Sequence, residues 1–390
     1  MSPTAAAAAP PAPFSLKNPY PARCVANVRL TGPESEKDTR HYVIALEKSG
    51  VTYLPGDALG LMPTNDPELA QTIVEALGAA GTESVPDRHK QPKPLLAALI
   101  EDYVITALDK KFIEAAVAQG VNDLAPLLAP ENAEKLRALL YGHDEAYDPL
   151  DLLRAHPALK FAPEEFIALL RRLPPRLYSI ASALSAHPNE VHLTVATVRY
   201  EIRGRARKGV ASNFLAERWT GERTAGVYIQ SQQKHFALPG DPATPIIMVG
   251  PGTGIAPFRS FVAHRRATGA TGRNWLFFGE RRSSQDFFYR DEFEPLIAEE
   301  FLRLSLAWSR DVPGQRTFVQ TKLLEHAREV WQWIEEGAHF YVCGDKERMA
   351  TDVDAALHRI AAEQGGRTPE EACEYVEALK KAHRYKRDVY

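Results

Sequence analysis

"VGPGTGIAPFRSF", residues 249–261, is a glycine-bearing turn set between two kinds of pattern. Directly upstream, "PIIMV" is a short apolar run of the buried-strand type. Downstream the apolar residues take up helical spacing. Glycine lets a backbone come close to a bulky anion and adopt positive φ. A helix that starts beside it points free N–H groups and a partial positive charge at that anion. Gly250, Gly252 and Gly254 give G-x-G-x-G, and Ile255 stands where the common dinucleotide fingerprint has its third glycine. On spacing alone the loop reads either as a pyrophosphate cradle or as a tight structural turn. Its surroundings decide between them.

Downstream of "LPGDPATP", the stretches "PIIMVG", "NWLFFGE", "LRLSLAWS" and "HFYVCGD" read as short buried strands. Between and after them come helical stretches, including "APFRSFVAHRRATG", "RDEFEPLIAEEF", "QTKLLEHAREVWQWIEEG" and "KERMATDVDAALHRIAAEQG". Strands alternating with helices predict a parallel sheet, which favours the cradle reading. Upstream the order differs. Residues 20–62 look like strands ("CVANVRL", "HYVIAL", "YLPGDALGLMP"). Residues 66–173 look helical, as in "DPELAQTIVEALGAAG" with its Asp-Pro start and glycine stop. Strands return over 176–238, with "EVHLTVATVRYEI" read as one run. A helical block is therefore inserted into a β domain.

Composition bounds the function. The chain has 390 residues, 45% hydrophobic and 25% charged, with a net charge of −3. It has no global basic field for nucleic acid, and no nucleic-acid or membrane partner is expected. The cysteines Cys24, Cys343 and Cys373 are sparse and odd in number, which fits a reducing cytoplasm. No metal-ligand spacing stands out, so no metal is expected. No apolar run approaches the ~20 residues of a membrane span. The Ala/Pro-rich residues 1–16 read as a disordered lead-in.

A series of further motifs follows in a fixed order: "RLYSIAS" (176–182), "KGVASNFL" (208–215), "FFGERRSSQDFFYRDEF" (277–293), "AWSRD" (307–311), "YVCGDKERM" (341–349) and the terminal "RYKRDVY". Together they resemble the reductase module of the diflavin reductases, over residues 17–390. The nearest likeness is the flavoprotein subunit of NADPH-dependent sulfite reductase. The resemblance implies a ferredoxin-NADP reductase-like multidomain fold. An antiparallel β-barrel for FAD would occupy 17–65 and 174–240, an all-helical connecting domain 66–173, and a Rossmann-like α/β NADP domain 241–390. Family members carry an FMN-binding flavodoxin-like domain ahead of the barrel, which needs ~150 residues. Only residues 1–16 stand there, so the second flavin is expected on another chain, or the sequence is a fragment.

The resemblance also assigns residues. Toward FAD it implies Arg176, Tyr178 and Ser179, then Thr194, Ala196 and Tyr200, then Gly209, Val210, Ala211 and Ser212, with Tyr390 stacked on the ring. Toward NADP it implies Gly252, Thr253 and Gly254 at the pyrophosphate, and Ser309, Arg310, Arg316, Gln320 and Asp352 around the 2′-phosphate side, with Arg40 a weaker candidate. Phe318 stands where a tyrosine is common. Ser179, Cys343, Asp388 and Tyr390 form the implied catalytic group. On residue type alone, Arg176 and Tyr178 read first as a strand end and Cys343 as a small core residue, while Ser212 reads equally as a helix cap.

The function so implied is an NADPH-dependent FAD flavoprotein that passes electrons singly to a redox partner. That partner is a sirohaem sulfite reductase subunit, an FMN protein, a flavodoxin or a ferredoxin. A stand-alone ferredoxin- or flavodoxin-NADP reductase is the alternative, and a non-catalytic docking subunit a third reading.

Overall fold

The computed structural model describes residues 14–47 and 49–390; most of the expected lead-in lies outside them. The strands run β1 (Tyr20–Arg29), β2 (Thr39–Ala45), β3 (Ala58–Leu61), β4 (Ser84–Pro86), β5 (Pro92–Pro94), β6 (Arg176–Ser179), β7 (Glu190–Ala196), β8 (Arg199–Ile202), β9 (Arg205–Lys208), β10 (Thr224–Gln230), β11 (Ile246–Val249), β12 (Asn274–Glu280), β13 (Leu302–Trp308), β14 (His339–Gly344) and β15 (Tyr385–Val389). The chain divides into two compact units.

The larger unit holds the described part of Met1–Gly60, Leu177–Ala196 and Thr220–Tyr390. Its first sheet has the order β6-β3-β10-β1-β2-β7. β1 pairs antiparallel with β10 and β2, and β2 antiparallel with β7. An isolated bridge between Ile180 and Leu193 joins the two outer strands' ends and closes the sheet into a barrel.

The second sheet has the order β13-β12-β11-β14-β15, and every pairing is parallel. Its three central strands, β11, β12 and β14, are buried on both faces, as in a parallel sheet covered by helices on either side. In β11, Ile247 and Val249 enter one core with Trp275, Phe277 and Phe340. Ile246 and Met248 enter the opposite core with Phe258, Phe261 and Tyr341. Period-2 alternation divides one apolar run between two layers of helices.

The smaller unit holds Leu61–Arg176 and Thr197–Trp219. Its first helix, Pro67–Leu77, begins on Asp66, whose side chain accepts from the Glu68 N–H, and ends on Gly78 at φ 69°. Helix starts and stops of this kind are what the residue pattern predicts. The core is built from Ile73, Leu99, Phe112, Phe161 and Phe166. Thr197–Trp219 joins this unit through the β8–β9 hairpin. Arg205 donates to Asp151 at 3.1–3.2 Å, and both Arg205 and Arg207 pair with Asp148.

One sequence expectation is corrected, and two further details come only from the structure. "EVHLTVATVRYEI" is not one strand: β7 stops at Ala196, and β8 starts at Arg199 in a different sheet. The backbone of Val198 is taken by other partners, because its N–H donates to Ser212 Oγ at 3.1 Å and its carbonyl accepts from Gly209 N–H at 2.9 Å. "QTKLLEHAREVWQWIEEG" is two helices, Val319–Glu325 and Ala327–Glu335. The break is His326 at φ −104°, ψ 21°, whose ring lies edge-on to Trp275. Finally, "RYKRDVY" supplies a fifth parallel strand, β15, which the periodicity did not reveal.

Candidate functional site

In the larger unit the candidate residues collect at the carboxyl ends of the parallel strands, where open α/β sheets place ligands. After β11 the chain turns through Gly252–Ile255 into the helix Ala256–Ala267. The three loop glycines do different work. A side chain on Gly254 would lie 2.1 Å from the Cys343 carbonyl oxygen, and one on Gly250 2.5 Å from the Gly254 carbonyl oxygen and from the Phe258 ring. Those two glycines let the loop pack on its own protein. Gly252 is only partly buried, at φ 57° with a Glu280 carboxylate oxygen 3.3 Å from where a side chain would begin. Gly254→Ala is therefore expected to cost about 2–3 kcal/mol of stability through overpacking, while Gly252→Ala strains only the local backbone. Thermal melts of the two variants check this order; equal melting would refute it.

A cavity of about 480 Å3 opens beside the loop. Gly252, Ser309, Arg310, Arg316, Gln320 and Asp352, all singled out from sequence, line it. Ser309 N–H donates to the Glu280 carbonyl at 2.9 Å, which brings the end of β13 beside that of β12. Gln320 donates to Asp352 at 3.0 Å across the cavity. Phe318 is exposed there. Sequence reasoning missed Lys37, Arg281 and Arg348, which line the same space. A glycine backbone at positive φ beside this many cations fits a polyphosphate-bearing ligand.

Ser179, Cys343 and Asp388 meet at the ends of β6, β14 and β15. Cys343 and Asp388 are register partners on adjacent strands. Ser179 Oγ donates to Asp388 Oδ2 at 2.5 Å, and Cys343 Sγ lies 3.8 Å from the same oxygen. Complete burial, and secondarily the Asp388 charge, push the Cys343 thiol well above its ordinary range. The sulfur keeps its proton. Tyr390 is 57% exposed, and its hydroxyl shares a hydrogen bond with Thr253 Oγ1 at 2.9 Å. Its N–H donates to the Gly344 carbonyl at 3.1 Å. The last residue is thus tied to the glycine loop.

The residues implied toward FAD fall in both units. In the larger one, Tyr178 is half-buried beside Ser179 and Ala196 ends β7. Thr194 is buried, and its hydroxyl shares a 2.5 Å hydrogen bond with Tyr289. Arg40 pairs with Asp38 at 2.7 Å. In the smaller unit, Arg176 is exposed. Gly209 and Val210 line a cavity of about 340 Å3 together with Tyr200, Lys208 and Arg218. A side chain on Gly209 would meet Ser212 Oγ and Val198 Cβ at 2.9 Å. The Ser212 hydroxyl is engaged by the Val198 N–H, and Ala211 is buried beside it. First-turn amides at Val210 and Ala211, a lysine, an arginine and an exposed tyrosine suit a ligand that is anionic at one end and flat and aromatic at another.

The structure also gathers His187, Glu190 and His192, with their ligand-type atoms within 4.8 Å of one another. Arg259, which can only donate, lies 3.2 Å from His192 Nδ1, and Glu190 lies 3.0 Å from Nε2. The imidazole therefore accepts at Nδ1 and carries its proton on Nε2, toward Glu190. Both ring nitrogens of His192 are thus engaged within the protein.

Residues 12–214 match the FAD binding domain model, and residues 248–355 match the Oxidoreductase NAD-binding domain model. The chain belongs to the FAD binding domain family and carries an oxidoreductase NAD-binding domain after it: it is a flavin- and nicotinamide-dinucleotide-binding oxidoreductase. Among curated proteins it is 44% identical over 392 residues to the Sulfite reductase (NADPH) flavoprotein alpha-component of Bacillus subtilis (strain 168), covering 100% of this chain and 64% of that protein. It is 44% identical over 380 residues to the protein of that name from Serratia proteamaculans (strain 568), covering 97% and 62%. The one from Vibrio vulnificus (strain CMCP6) is 43% identical over 390 residues, covering 100% and 62%. The chain thus spans less than two thirds of these relatives' length. No described helix is long and apolar enough to cross a membrane.

Proposed function

We propose that the chain is an NADPH-dependent FAD reductase that serves sulfite reduction, as the names of its relatives suggest. Bound FAD would supply the chemistry that takes one hydride, with its two electrons, and returns the electrons one at a time. The protein's residues bind, orient and stabilise. Gly252 and Thr253 hold the dinucleotide pyrophosphate, and Ser309, Arg310 and Arg316 hold its 2′-phosphate, for which planar guanidinium forks are suited. Gln320 and Asp352 complete that wall. Ser179, Cys343 and Asp388 orient the nicotinamide and support developing charge. Tyr390, the exposed terminal ring, would shield a bound flavin and give way to nicotinamide. Toward FAD, the larger unit offers Tyr178, Ser179, Thr194 and Ala196, and the smaller offers Arg176, Tyr200, Gly209, Val210, Ala211 and Ser212. The electron acceptor is a protein, with a sirohaem sulfite reductase subunit first and FMN proteins, flavodoxin and ferredoxin next.

The observation that carries this reading is the meeting of Ser179, Cys343 and Asp388 at the strand ends that also present the glycine loop. Purified protein is expected to be yellow and to bleach with NADPH. Arg310→Ala is expected to lower the ratio of NADPH to NADH efficiency by about tenfold or more, the loss of a charge-assisted phosphate contact. An unchanged ratio overturns the phosphate assignment. A colourless protein that takes up no FAD overturns the reading as a whole. Steady-state rates with each acceptor protein rank the partners.

A further inference from the structure

The β1–β2 connection, residues 30–38, lies on the segment that follows β12. Gly32 N–H donates to the Gln285 carbonyl at 2.7 Å, and a side chain on Gly32 would stand 2.1 Å from Gln285 Oε1. Ser35 Oγ donates to Asp286 at 2.5 Å, and Lys37 Nζ pairs with Glu280 at 2.6 Å. These contacts hold Glu36 over three guanidinium groups. Arg281 donates to its carboxylate at 2.7 Å, Arg282 reaches it at 3.4 Å, and Arg310 pairs with it more closely still. The Arg310 bond, followed by the neighbouring arginine charges, holds the Glu36 carboxyl below its usual range. Three like charges on one patch repel unless an anion sits among them, and here the protein supplies that anion. Glu36 and Arg310 remain 43% and 44% exposed, so an incoming group can reach the pair.

We infer that Glu36 is a resident carboxylate that a nucleotide's 2′-phosphate must displace from Arg281, Arg282 and Arg310, and that it thereby narrows the preference for 2′-phosphorylated over unphosphorylated nucleotide. The inference rests on the nucleotide reading above. A dianion competes with the carboxylate for the same forks, whereas a nucleotide with a free 2′-hydroxyl leaves the pair intact. The loop has its own anchors in Gly32, Ser35 and Lys37, so neutralising Glu36 leaves it docked.

The test is calorimetric titration of the full chain, wild type and Glu36→Gln, with 2′,5′-ADP, 5′-AMP and inorganic phosphate at one fixed ionic strength. Glu36→Gln is expected to bind 2′,5′-ADP about fivefold tighter, the scale of one half-exposed charge contact, with 5′-AMP unchanged. Glu36→Ala is expected to show the same gain, because the removed charge matters rather than a lost hydrogen bond. Tighter binding of 2′,5′-ADP and of inorganic phosphate alike would support displacement by any phosphate. Equal or weaker 2′,5′-ADP binding in both variants, with wild type binding normally, overturns the Glu36 inference and leaves the nucleotide reading standing. If neither wild type nor variant binds 2′,5′-ADP, the nucleotide reading fails and takes this inference with it.

Discussion

Asp388→Asn is expected to slow reduction of bound FAD by NADPH by about a hundredfold, at unchanged FAD content. Asp388 Oδ2 is where two protic groups converge, Ser179 Oγ at 2.5 Å and Cys343 Sγ at 3.8 Å. Hydride departure leaves positive charge on a nicotinamide, and a fixed carboxylate beside it stabilises that charge without reorganisation. Asparagine keeps the size and can still accept from Ser179, but it lacks the charge. The loss is thus expected in the reduction rate and not in nucleotide binding. Stopped-flow absorbance under single turnover, with NADPH varied, separates the two. A rate within about threefold of wild type, or a loss confined to nucleotide affinity, would show that the charge plays no part in the chemical step. Ser179→Ala is expected to have a smaller effect, because it removes a neutral partner and leaves the carboxylate in place.

Acid is expected to destabilise the larger unit from pH 6.5 downward, well above the range where carboxylates titrate. Burial first, and then the Arg259 cation, push His41 and His192 down to about 3, and lower His187 in the same way. Burial, aided by Lys386 and Arg384, pushes His339 to about 4. These folded values lie below the unfolded one near 6.5. Above that pH neither state is protonated and nothing is lost. As pH falls through 6.5, unfolded chains take up protons that folded ones refuse, so stability drops until the folded values are reached. Each fully shifted histidine contributes about 1.4 kcal/mol per pH unit in that window. Three of them, His41, His192 and His339, give roughly 4 kcal/mol per unit between pH 6 and pH 5. Denaturant melts at those pH values measure the slope. His192→Gln is expected to lower it by about a third. A slope equal in wild type and variant would place the acid sensitivity elsewhere. The cause is local: His192 sits between Arg259 at 3.2 Å and the His187 ring at 4.3 Å, with no room for a second cation.

Much of this molecule is visible in short-range pattern. The alternation of buried strands and helices beyond residue 245 predicts a parallel sheet, and the sheet has the expected order of elements around the glycine loop. Helix limits such as Asp66 and Gly78 follow from side-chain capping and a left-handed stop, which are properties of a few adjacent residues. β15 escaped notice because "YKRDV" has no strand-like alternation. It is held as a strand by register with β14, not by propensity. The run through Val198 misled because alternation continues across a point where the backbone changes partners.

Residue types and their spacing determined on their own that this chain carries a glycine turn between a buried strand and a helix, a parallel sheet alternating with helices and a helical insert, since each is written in periods of two to four residues or in the demands of glycine. Tertiary structure alone decided which distant groups meet. Ser179 reaches Asp388 across 209 residues and Glu36 reaches Arg310 across 274, while Thr197–Trp219 leaves the barrel strands for the helical unit. It also decided that two of the three loop glycines, Gly250 and Gly254, are packed against backbone, while Gly252 has only a side-chain carboxylate near it. Local periodicity carries no record of where a chain returns; that is set by the packing of whole layers, and only then do charges and hydroxyls acquire their partners.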